Sequence, residues 1–319
     1  MKVLGLSCGR PMSNSEILLR EALTGAQEKG AETEIIRLLN LTVKHCIGCL
    51  KCQRPGGECV QKNDHIPFLM DKIANSDGVI ISAPAYSFTP PGFLLMIRDR
   101  LTFRQMDKLN KPSRAAQIIV GGSNWVNLGL PLTEWCFFPH GHVKFVDQMI
   151  VPFTADLSQV VLNEYALGRA RNLGRNMGEA VKLPIDQVQY IGSGMKISDE
   201  EIKFFSESME MPANEIKYEV NVADVCPVCH SNLIHIHGNT VSCAMCDIKG
   251  KLSIEGDKLK VIFDDIEQQR FRSSPWEQKR HMHYVQHSRK IITENEKQIN
   301  KKVAEYRECM EVTTPPKLK

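Results

Sequence analysis

Short apolar runs alternate with amphipathic stretches along the first 190 residues, and this alternation limits the folds that the chain can adopt. Five runs are rich in Val and Ile, as strands buried on both faces are: residues 2–7, 32–38, 78–83, 115–121 and 143–151. Between them, apolar residues recur at helical spacing, as in 15–29. The repeat predicts an α/β fold with a doubly wound, five-stranded parallel sheet, whose ligand site lies beyond the carboxyl ends of the strands.

The pattern changes after residue 182, which indicates further parts of the chain. We predict a first domain over 1–192, with a cysteine-rich loop at 44–60, and then a linker with a short helix over 193–221. Ser198 and Glu201 offer a capping box for that helix. Short alternating strands with glycine turns predict a small β module over 222–264. A helical extension is expected over 265–319, as one long helix from Ser274 to about Met310.

The chain contains 11 cysteines among its 319 residues. It has neither the layout of a secretory signal nor an apolar run of the ~20 residues that span a bilayer, so we expect a cytoplasmic protein without a membrane partner. A net charge of +3 and an aromatic content of 7% give no reason to expect nucleic acid as a partner. In a reducing compartment, clustered thiols indicate metal or redox sites before disulfides.

The first cysteine group lies in a predicted loop after the second strand and consists of Cys46, Cys49, Cys52 and Cys59. Its C-x2-C-x2-C spacing resembles the start of a bacterial ferredoxin run, in which one loop wraps a cluster. The fourth cysteine is local here, only seven positions after the third. This spacing favours an iron–sulfur cluster, with a structural zinc site and free thiols as the alternatives.

The second cysteine group forms two C-x2-C knuckles separated by thirteen residues: Cys226, Cys229, Cys243 and Cys246. Such knuckles are typical of a tetrahedral thiolate site, so we predict a zinc ribbon whose Zn²⁺ holds a module too small for a core of its own. Rubredoxin-type iron is the alternative. Glycine normally follows each rubredoxin knuckle, whereas His230 and Asp247 stand here. Cys8, Cys136 and Cys309 are expected to be single thiols.

Three loops follow the predicted first, third and fourth strands. The first offers hydroxyls, an amide and a guanidinium at a helix N-terminus, which suits a terminal phosphate, although a plain capped turn is the alternative; its residues are Ser7, Arg10, Ser13, Asn14 and Ser15. The second presents aromatic rings and backbone amides: Pro84, Ala85, Tyr86, Ser87, Phe88 and Thr89. The third is glycine-rich: Gly121, Gly122, Ser123 and Asn124. Because these loops converge at one switch point, they predict a planar heteroaromatic cofactor.

These motifs identify a resemblance to the NADPH-dependent FMN reductase family of flavodoxin-like folds, and within it to the iron–sulfur flavoproteins. The phosphate loop of the family, Ser-x-Arg-x-x-Ser followed by Asn and by Ser or Thr, aligns with residues 8–15, although its leading serine is Cys8 here. The Ser-Pro-x-Tyr loop aligns with residues 83–86, where the serine is Ala83. The compact four-cysteine motif is the most specific match. About the last 100 residues are not covered by the resemblance.

The resemblance implies a flavodoxin-like domain in which the three loops bind FMN and the first cysteine group holds a [4Fe-4S] cluster. Electrons would come from NAD(P)H or a ferredoxin and pass to a small-molecule acceptor. The resemblance also implies a homodimer or homotetramer. The chemistry belongs to the flavin, so no catalytic side chain is expected. We therefore predict an FMN-dependent oxidoreductase of iron–sulfur flavoprotein type.

Two other functions are compatible with the sequence. A dedicated NAD(P)H-dependent reductase of quinones, nitro or azo compounds, or another unsaturated small molecule, would have its pocket covered by Trp125, Trp135, Trp276, His281, His283 and His287. A redox-responsive module would use the ribbon to bind nucleic acid or a protein. The second alternative is less favoured because residues 222–264 have no basic cluster with interleaved aromatic residues.

Overall fold

The computed structural model of the chain describes residues 1–54, 57–86, 88–101, 113–122, 126, 128–137, 143–192, 198–210, 212–215, 226–231, 233–256, 258–271 and 274–309. The chain divides into two compact units, Met1–Ser273 and Ser274–Lys319. The first unit contains a parallel sheet and an antiparallel sheet, and the second contains helices. This is the combination of elements that the sequence predicted.

The parallel sheet has five strands in the order β2-β1-β3-β4-β5. Its strands are β1 (Lys2–Ser7), β2 (Glu32–Arg37), β3 (Gly78–Pro84), β4 (Ser113–Val120) and β5 (Val143–Val151). Every neighbouring pair is parallel, and each strand begins and ends within two residues of its predicted run. The doubly wound fold is confirmed, and the reversal of strand order puts a switch point between β1 and β3.

Five helices cover the two faces of this sheet: α1 (Asn14–Glu28), α2 (Ile66–Ala74), α3 (Gly92–Arg100), α4 (Gly129–Phe137) and α5 (Glu164–Ala180). Successive strand residues point to opposite faces. Accordingly, Val3 packs in one buried cluster with α1 and α5, whereas Leu4 packs in another with α2, α3 and α4. Because both faces are covered, the strands are apolar along their length, which made them recognisable in the sequence.

Helices α1 and α5 touch through glycines. A Cβ atom at Gly174 would lie 1.7 Å from the Ala22 carbonyl oxygen, and one at Gly25 would lie 2.0 Å from the Arg171 carbonyl oxygen. Any side chain at either position would push the two backbones apart. An ion pair between Arg171 and Glu21, with N–O atoms 2.7 Å apart, flanks this contact.

A buried carboxylate joins α1 to the sheet. The Glu16 side chain has no solvent exposure, and its oxygens accept hydrogen bonds from Arg20 and Arg37, each at 2.8 Å. The Ser7 hydroxyl at the end of β1 donates to it at 3.4 Å. Burial alone raises the pKa of Glu16, but the hydrogen bonds from Arg37 and Arg20 outweigh it and lower the pKa to about 2.

The antiparallel sheet contains β6 (Ile234–His237), β7 (Thr240–Cys243), β8 (Lys249–Glu255) and β9 (Lys258–Phe263) in sequential order. Gly238 and Gly256, with φ of 64° and 67°, lie in the predicted turns. Asp257, predicted in the second turn, lies outside the described residues. Helices α6 (Asp199–Met209) and α7 (Asp265–Gln269) precede and follow the sheet. The capping box at the start of α6 is confirmed.

An aromatic stack joins the small sheet module to the parallel sheet. The rings of Tyr190 and His230 are 3.7 Å apart and nearly parallel. The Tyr190 hydroxyl donates to Gln148 on β5 at 3.1 Å. Burial lowers the pKa of His230 to about 4, and the charge of Lys144 acts in the same direction. The ring therefore stays neutral at physiological pH, as a buried stacking partner should.

The second unit contains α8 (Pro275–Glu294) and α9 (Glu296–Cys309). Ser274 caps α8 and Pro275 is its first residue, as predicted. The predicted single helix is interrupted at Asn295, whose side-chain amide donates to the Ile291 carbonyl at 2.8 Å. An asparagine that bonds to its own backbone competes with helix propagation. Among the helices of the described residues, none has the length and apolarity needed to cross a membrane.

Glu16→Gln should destabilise the protein because it removes the charge of a buried carboxylate that accepts hydrogen bonds from two partly exposed arginines. A pKa lowered from 4.5 to about 2 corresponds to about 3 kcal/mol that is present above pH 4.5 and lost as the pH falls toward 2. We expect a melting temperature about 5–10 °C lower at pH 7. The control is Glu28→Gln, which breaks a more exposed pair with Arg175. Equal shifts in both variants would contradict this account of Glu16.

Candidate functional site

The first site loop runs from the end of β1 into α1. The Cys8 amide bonds to the Ser82 carbonyl at 2.8 Å, which keeps the loop against β3. A Cβ atom at Gly9 would lie 2.1 Å from Ser13 Oγ and 2.4 Å from Ser15 Oγ. Both hydroxyls therefore lie against the backbone of Gly9, which has no side chain, at the N-terminus of a 15-residue helix. This cradle fits a terminal phosphate, the group by which FMN would be held.

Asn14 ties this loop to the loop that follows β5. Its side-chain amide donates to the carbonyls of Thr154 and Asp156 at 3.3 and 2.7 Å, and its oxygen accepts from the Val160 amide at 3.0 Å. The Asn14 side chain thus fixes the shape of the loop. Its predicted contact with FMN stays a prediction, as do the contacts of exposed Arg10 and of Ser7, whose hydroxyl is used by Glu16.

The second site loop forms a tight turn after β3. The Ala85 amide bonds to the Val120 carbonyl at 2.7 Å, and two backbone hydrogen bonds close the turn between Tyr86 and Thr89. Phe88 adopts φ of 75°, an uncommon conformation for a bulky residue. The Tyr86 and Phe88 side chains are 54% and 48% exposed. They are therefore accessible to a flat ligand. Ser87, predicted in the same loop, lies outside the described residues.

The third site loop begins where β4 ends. The Gly121 amide bonds to the Val151 carbonyl and its own carbonyl accepts from the Thr154 amide, each at 2.9 Å. Gly122 is exposed, and a Cβ atom there would lie 3.2 Å from the Ala155 side chain. Ser123 and Asn124 lie outside the described residues. The loop after β5 also belongs to this edge and was not predicted, although the same rule about strand ends would have included it.

The predicted residues that the structure describes in these loops lie at one edge of the parallel sheet. Their strands, β1, β3 and β4, are neighbours, and the Ser82 hydroxyl joins β3 to α1 by donating to the Ser15 carbonyl at 2.7 Å. Gly9, which the sequence analysis did not single out, is central to the cradle. A glycine two positions after a strand and before a serine-capped helix is the signal that would have found it.

The cysteine-rich loop forms a second site. Its four cysteines line one cavity of about 80 Å³, together with Asp99 and Arg100; the cysteines are Cys46, Cys49, Cys52 and Cys59. Gly48, with φ of 64°, donates its amide to the sulfur of Cys46 at 3.4 Å. A Cβ atom at Gly57 would lie 2.1 Å from the Lys51 carbonyl, so the loop folds back on itself closely. Amide–sulfur hydrogen bonds of this kind tune iron–sulfur clusters.

The third site is the pair of knuckles in the antiparallel module. The sulfurs of Cys226 and Cys246 are 3.3 Å apart, and those of Cys229 and Cys243 are 3.5 Å apart. All four thiols are buried and lie within 4.8 Å of one another. Hydrogen bonds from Cys226 and Cys229 lower the pKa of Cys243. A buried, closed set of four thiols fits one tetrahedral ion, either zinc or iron.

His230 and Asp247, which follow the knuckles where rubredoxins have glycine, have φ of 59° and 64°. They adopt the left-handed conformation that glycine would supply. Their amides bond back to the carbonyls of Cys226 and Cys243 at 2.8 and 3.0 Å. Each knuckle is therefore a complete turn, and the absence of glycine does not alter its shape.

The two cysteine groups differ in spacing. Around one ion with Zn–S bonds of 2.3 Å, ligand sulfurs lie about 3.8 Å apart. In the part of the chain that the structure describes, the knuckle cysteines are the one group of three or more metal-binding residues whose ligand atoms all lie within 4.8 Å. The thiols of the cysteine-rich loop border a cavity instead. Wider spacing fits a cluster, in which each cysteine binds a different iron.

The N-terminal part of the chain matches the model of a known protein family. Residues 1–152 match the family model of NADPH-dependent FMN reductase. An iron–sulfur flavoprotein of Methanocaldococcus jannaschii is 38% identical over 101 residues, which are 31% of this chain and 51% of that protein. One of Methanosarcina thermophila is 33% identical over 126 residues, 39% of this chain and 64% of that protein. The match thus spans about half to two thirds of these relatives.

Other similarities extend to the C-terminal part. A flavone synthase of Aspergillus candidus is 26% identical over 303 residues, which are 85% of this chain and 84% of that protein. A solved structure named flavone reductase superposes with a TM-score of 0.75 at 23% identity and covers 99% of this chain and 100% of that chain. The structural similarity shows that the two chains share a fold, including the elements beyond the flavodoxin-like sheet.

Gly9→Ala should displace the hydroxyls of Ser13 and Ser15 from the cradle, because its Cβ atom would lie too close to both. We expect FMN to bind about tenfold more weakly or worse, measured by quenching of flavin fluorescence on titration into cofactor-free protein. Gly168→Ala on α5 is the matched control, since a Cβ atom there meets nothing within 4 Å. Unchanged affinity in Gly9→Ala, with both variants folded, would show that the phosphate binds elsewhere.

Proposed function

We propose that this chain, a flavin-dependent oxidoreductase whose residues 1–152 match the model of the NADPH-dependent FMN reductase family, moves electrons between NAD(P)H or a ferredoxin, a [4Fe-4S] cluster, FMN and a planar unsaturated ketone. One observation carries the proposal: one compact unit contains both a phosphate cradle at the end of β1 and a four-cysteine cavity in the loop that follows β2. The combination of these two sites suits a cluster and a flavin that exchange electrons.

FMN would be held at the edge formed by β1, β3 and β4. Ser13, Ser15 and the N-terminus of α1 would bind its phosphate, and the turn containing Tyr86 and Phe88 would border its ring. Bound FMN supplies transfer of one or two electrons, including hydride transfer. The protein contributes position and access, because no nucleophile or metal-bound water is needed for that chemistry.

The two cysteine groups would hold different metals. In the proposal the cysteine-rich loop binds [4Fe-4S], which accepts single electrons and allows a one-electron donor such as ferredoxin to serve the flavin. The knuckles bind Zn²⁺. Their four buried thiols leave no open coordination position, as is typical of structural rather than catalytic zinc. The stacking of His230 on Tyr190 connects the metal-bound module to the parallel sheet at β5.

The acceptor class comes from the relatives that match most of the chain. One is named for making flavones and the other for reducing them, so both names concern a carbon–carbon double bond in a flat oxygen heterocycle. Conjugation to a ketone makes the β-carbon of such a bond electrophilic. Reduction consumes two electrons and two protons, equivalent to one NAD(P)H and one proton. The exposed rings of Tyr86 and Phe88 suit a flat aromatic acceptor.

The test uses the full chain, purified without oxygen and loaded with FMN and iron. Flavone is the probe acceptor, and NADH, NADPH and reduced methyl viologen are supplied separately as donors. We expect a product two mass units heavier than flavone and an iron content of about four per chain. Cys49→Ser should lose this iron and the viologen-driven turnover while keeping FMN. Cys309→Ser, outside both cysteine groups, should behave as the unaltered protein.

Three results would count against the proposal. Reduction of a quinone such as menadione without any reduction of flavone would reject the acceptor class. Iron-free protein with full viologen-driven turnover would reject the cluster. Equal loss of iron in Cys49→Ser and Cys309→Ser would show that the effect of the first substitution is general destabilisation.

A further inference from the structure

Arg100, the last residue of α3, holds both ends of the cysteine-rich loop. Its side chain is 2% exposed. One guanidinium nitrogen donates to the Lys44 carbonyl at 2.7 Å and to Asp64 at 2.5 Å, and another donates to the Gln61 carbonyl at 3.3 Å. Lys44 precedes the first cysteine of the loop and Gln61 follows the last. One side chain therefore joins the two ends of the segment that contains all four thiols.

Asp64 completes this clamp. Its carboxylate is 1% exposed and also accepts the amides of Lys44 and Ile66, at 3.2 and 3.3 Å. Although burial raises the pKa of Asp64, the hydrogen bonds from Arg100 and from those amides lower it below its usual range. The pair is thus buried, charged and hydrogen-bonded at several points. Such a pair costs desolvation energy and is favourable only when its geometry is fixed.

The third nitrogen of the guanidinium of Arg100 is Nε. It is buried, and the described part of the chain offers it no hydrogen-bond partner. Arg100 also lines the cavity that the four cysteines border. A buried donor without a partner costs about 1–3 kcal/mol, so such groups usually mark the place of a missing acceptor. Cys59, one of the cysteines that border this cavity, carries a sulfur that can act as such an acceptor.

The charge of Arg100 is retained in this position. Its ion pair with Asp64, 2.5 Å long and almost entirely buried, holds the guanidinium as a cation. Cys59 lines the same cavity as Arg100. A thiolate or sulfide there would accept the Nε–H and face a positive charge.

We propose that Arg100 is a positioning residue for the cluster: it clamps the ends of the cysteine-rich loop and donates Nε–H to a cluster sulfur, either the Cys59 thiolate or an inorganic sulfide. This inference rests on the proposed [4Fe-4S] site. A hydrogen bond and a positive charge at sulfur stabilise the more negative, reduced cluster. Arg100 therefore raises the midpoint potential of the cluster and slows its loss.

Two variants test the proposal in the reconstituted full chain. Arg100→Lys keeps the positive charge opposite Asp64 and removes the planar guanidinium, including its Nε–H. The double variant Asp64→Asn with Arg100→Gln removes the ion pair without leaving a lone buried charge. We expect both to lower the midpoint potential, followed by the electron paramagnetic resonance signal of the reduced cluster, and to release iron to a chelator several times faster. Arg175→Gln, which breaks an exposed pair with Glu28, should change neither.

The outcomes separate the inference from the proposed function. If the unaltered protein binds no cluster iron, the proposed site fails, and Arg100 has no cluster to position. If it binds the cluster and both variants keep its potential and its rate of iron release, the inference about Arg100 is overturned while the cluster stands. A shift in the double variant alone would assign the effect to charge and reject the Nε–H bond. Failure of both variants to take up iron, with FMN still bound, would support the clamp.

Discussion

The whole arrangement depends on a parallel sheet buried on both faces. Because helices cover each face, ligands can reach the sheet only at its ends, and the order β2-β1-β3-β4-β5 puts the ends of β1, β3 and β4 side by side. A loop after each of these strands borders the same space, and the loop after β2 contains the first cysteine group. The sheet thus determines where these loops lie, and the residues of the loops supply the groups that bind ligands.

Local physics made much of this fold predictable. Strands buried on both faces must be apolar, so the five runs stand out in the amino-acid sequence, and Ser198 and Ser274 mark helix starts by their capping chemistry. The knuckles were predictable because a tetrahedral ion dictates their spacing. Long-range pairs were not: Arg100 and Asp64 are 36 positions apart and share no pattern. The helix break at Asn295 depends on one side chain within a sequence otherwise suited to helix.

The sites were predictable to different degrees for the same reason. Cysteine spacing is a local signal, so both groups were found, whereas the difference in spread between them is visible only in three dimensions. The hydroxyl-rich loop was found, but the cradle over Gly9 depends on where the Ser13 and Ser15 side chains point. Asn14 shows the converse: its residue type suggested a ligand contact, and the folded chain uses its amide to join two loops.

We propose that the two cysteine groups hold different metals, an iron cluster in the cysteine-rich loop and a single zinc ion in the ribbon. Anomalous X-ray diffraction from crystals grown without oxygen, recorded at the iron and zinc absorption edges, tests it most directly. We predict an extended iron peak in the cavity of Cys46, Cys49, Cys52 and Cys59, and a compact zinc peak among Cys226, Cys229, Cys243 and Cys246. A single zinc peak in the cavity, or iron among the knuckles, would contradict the account.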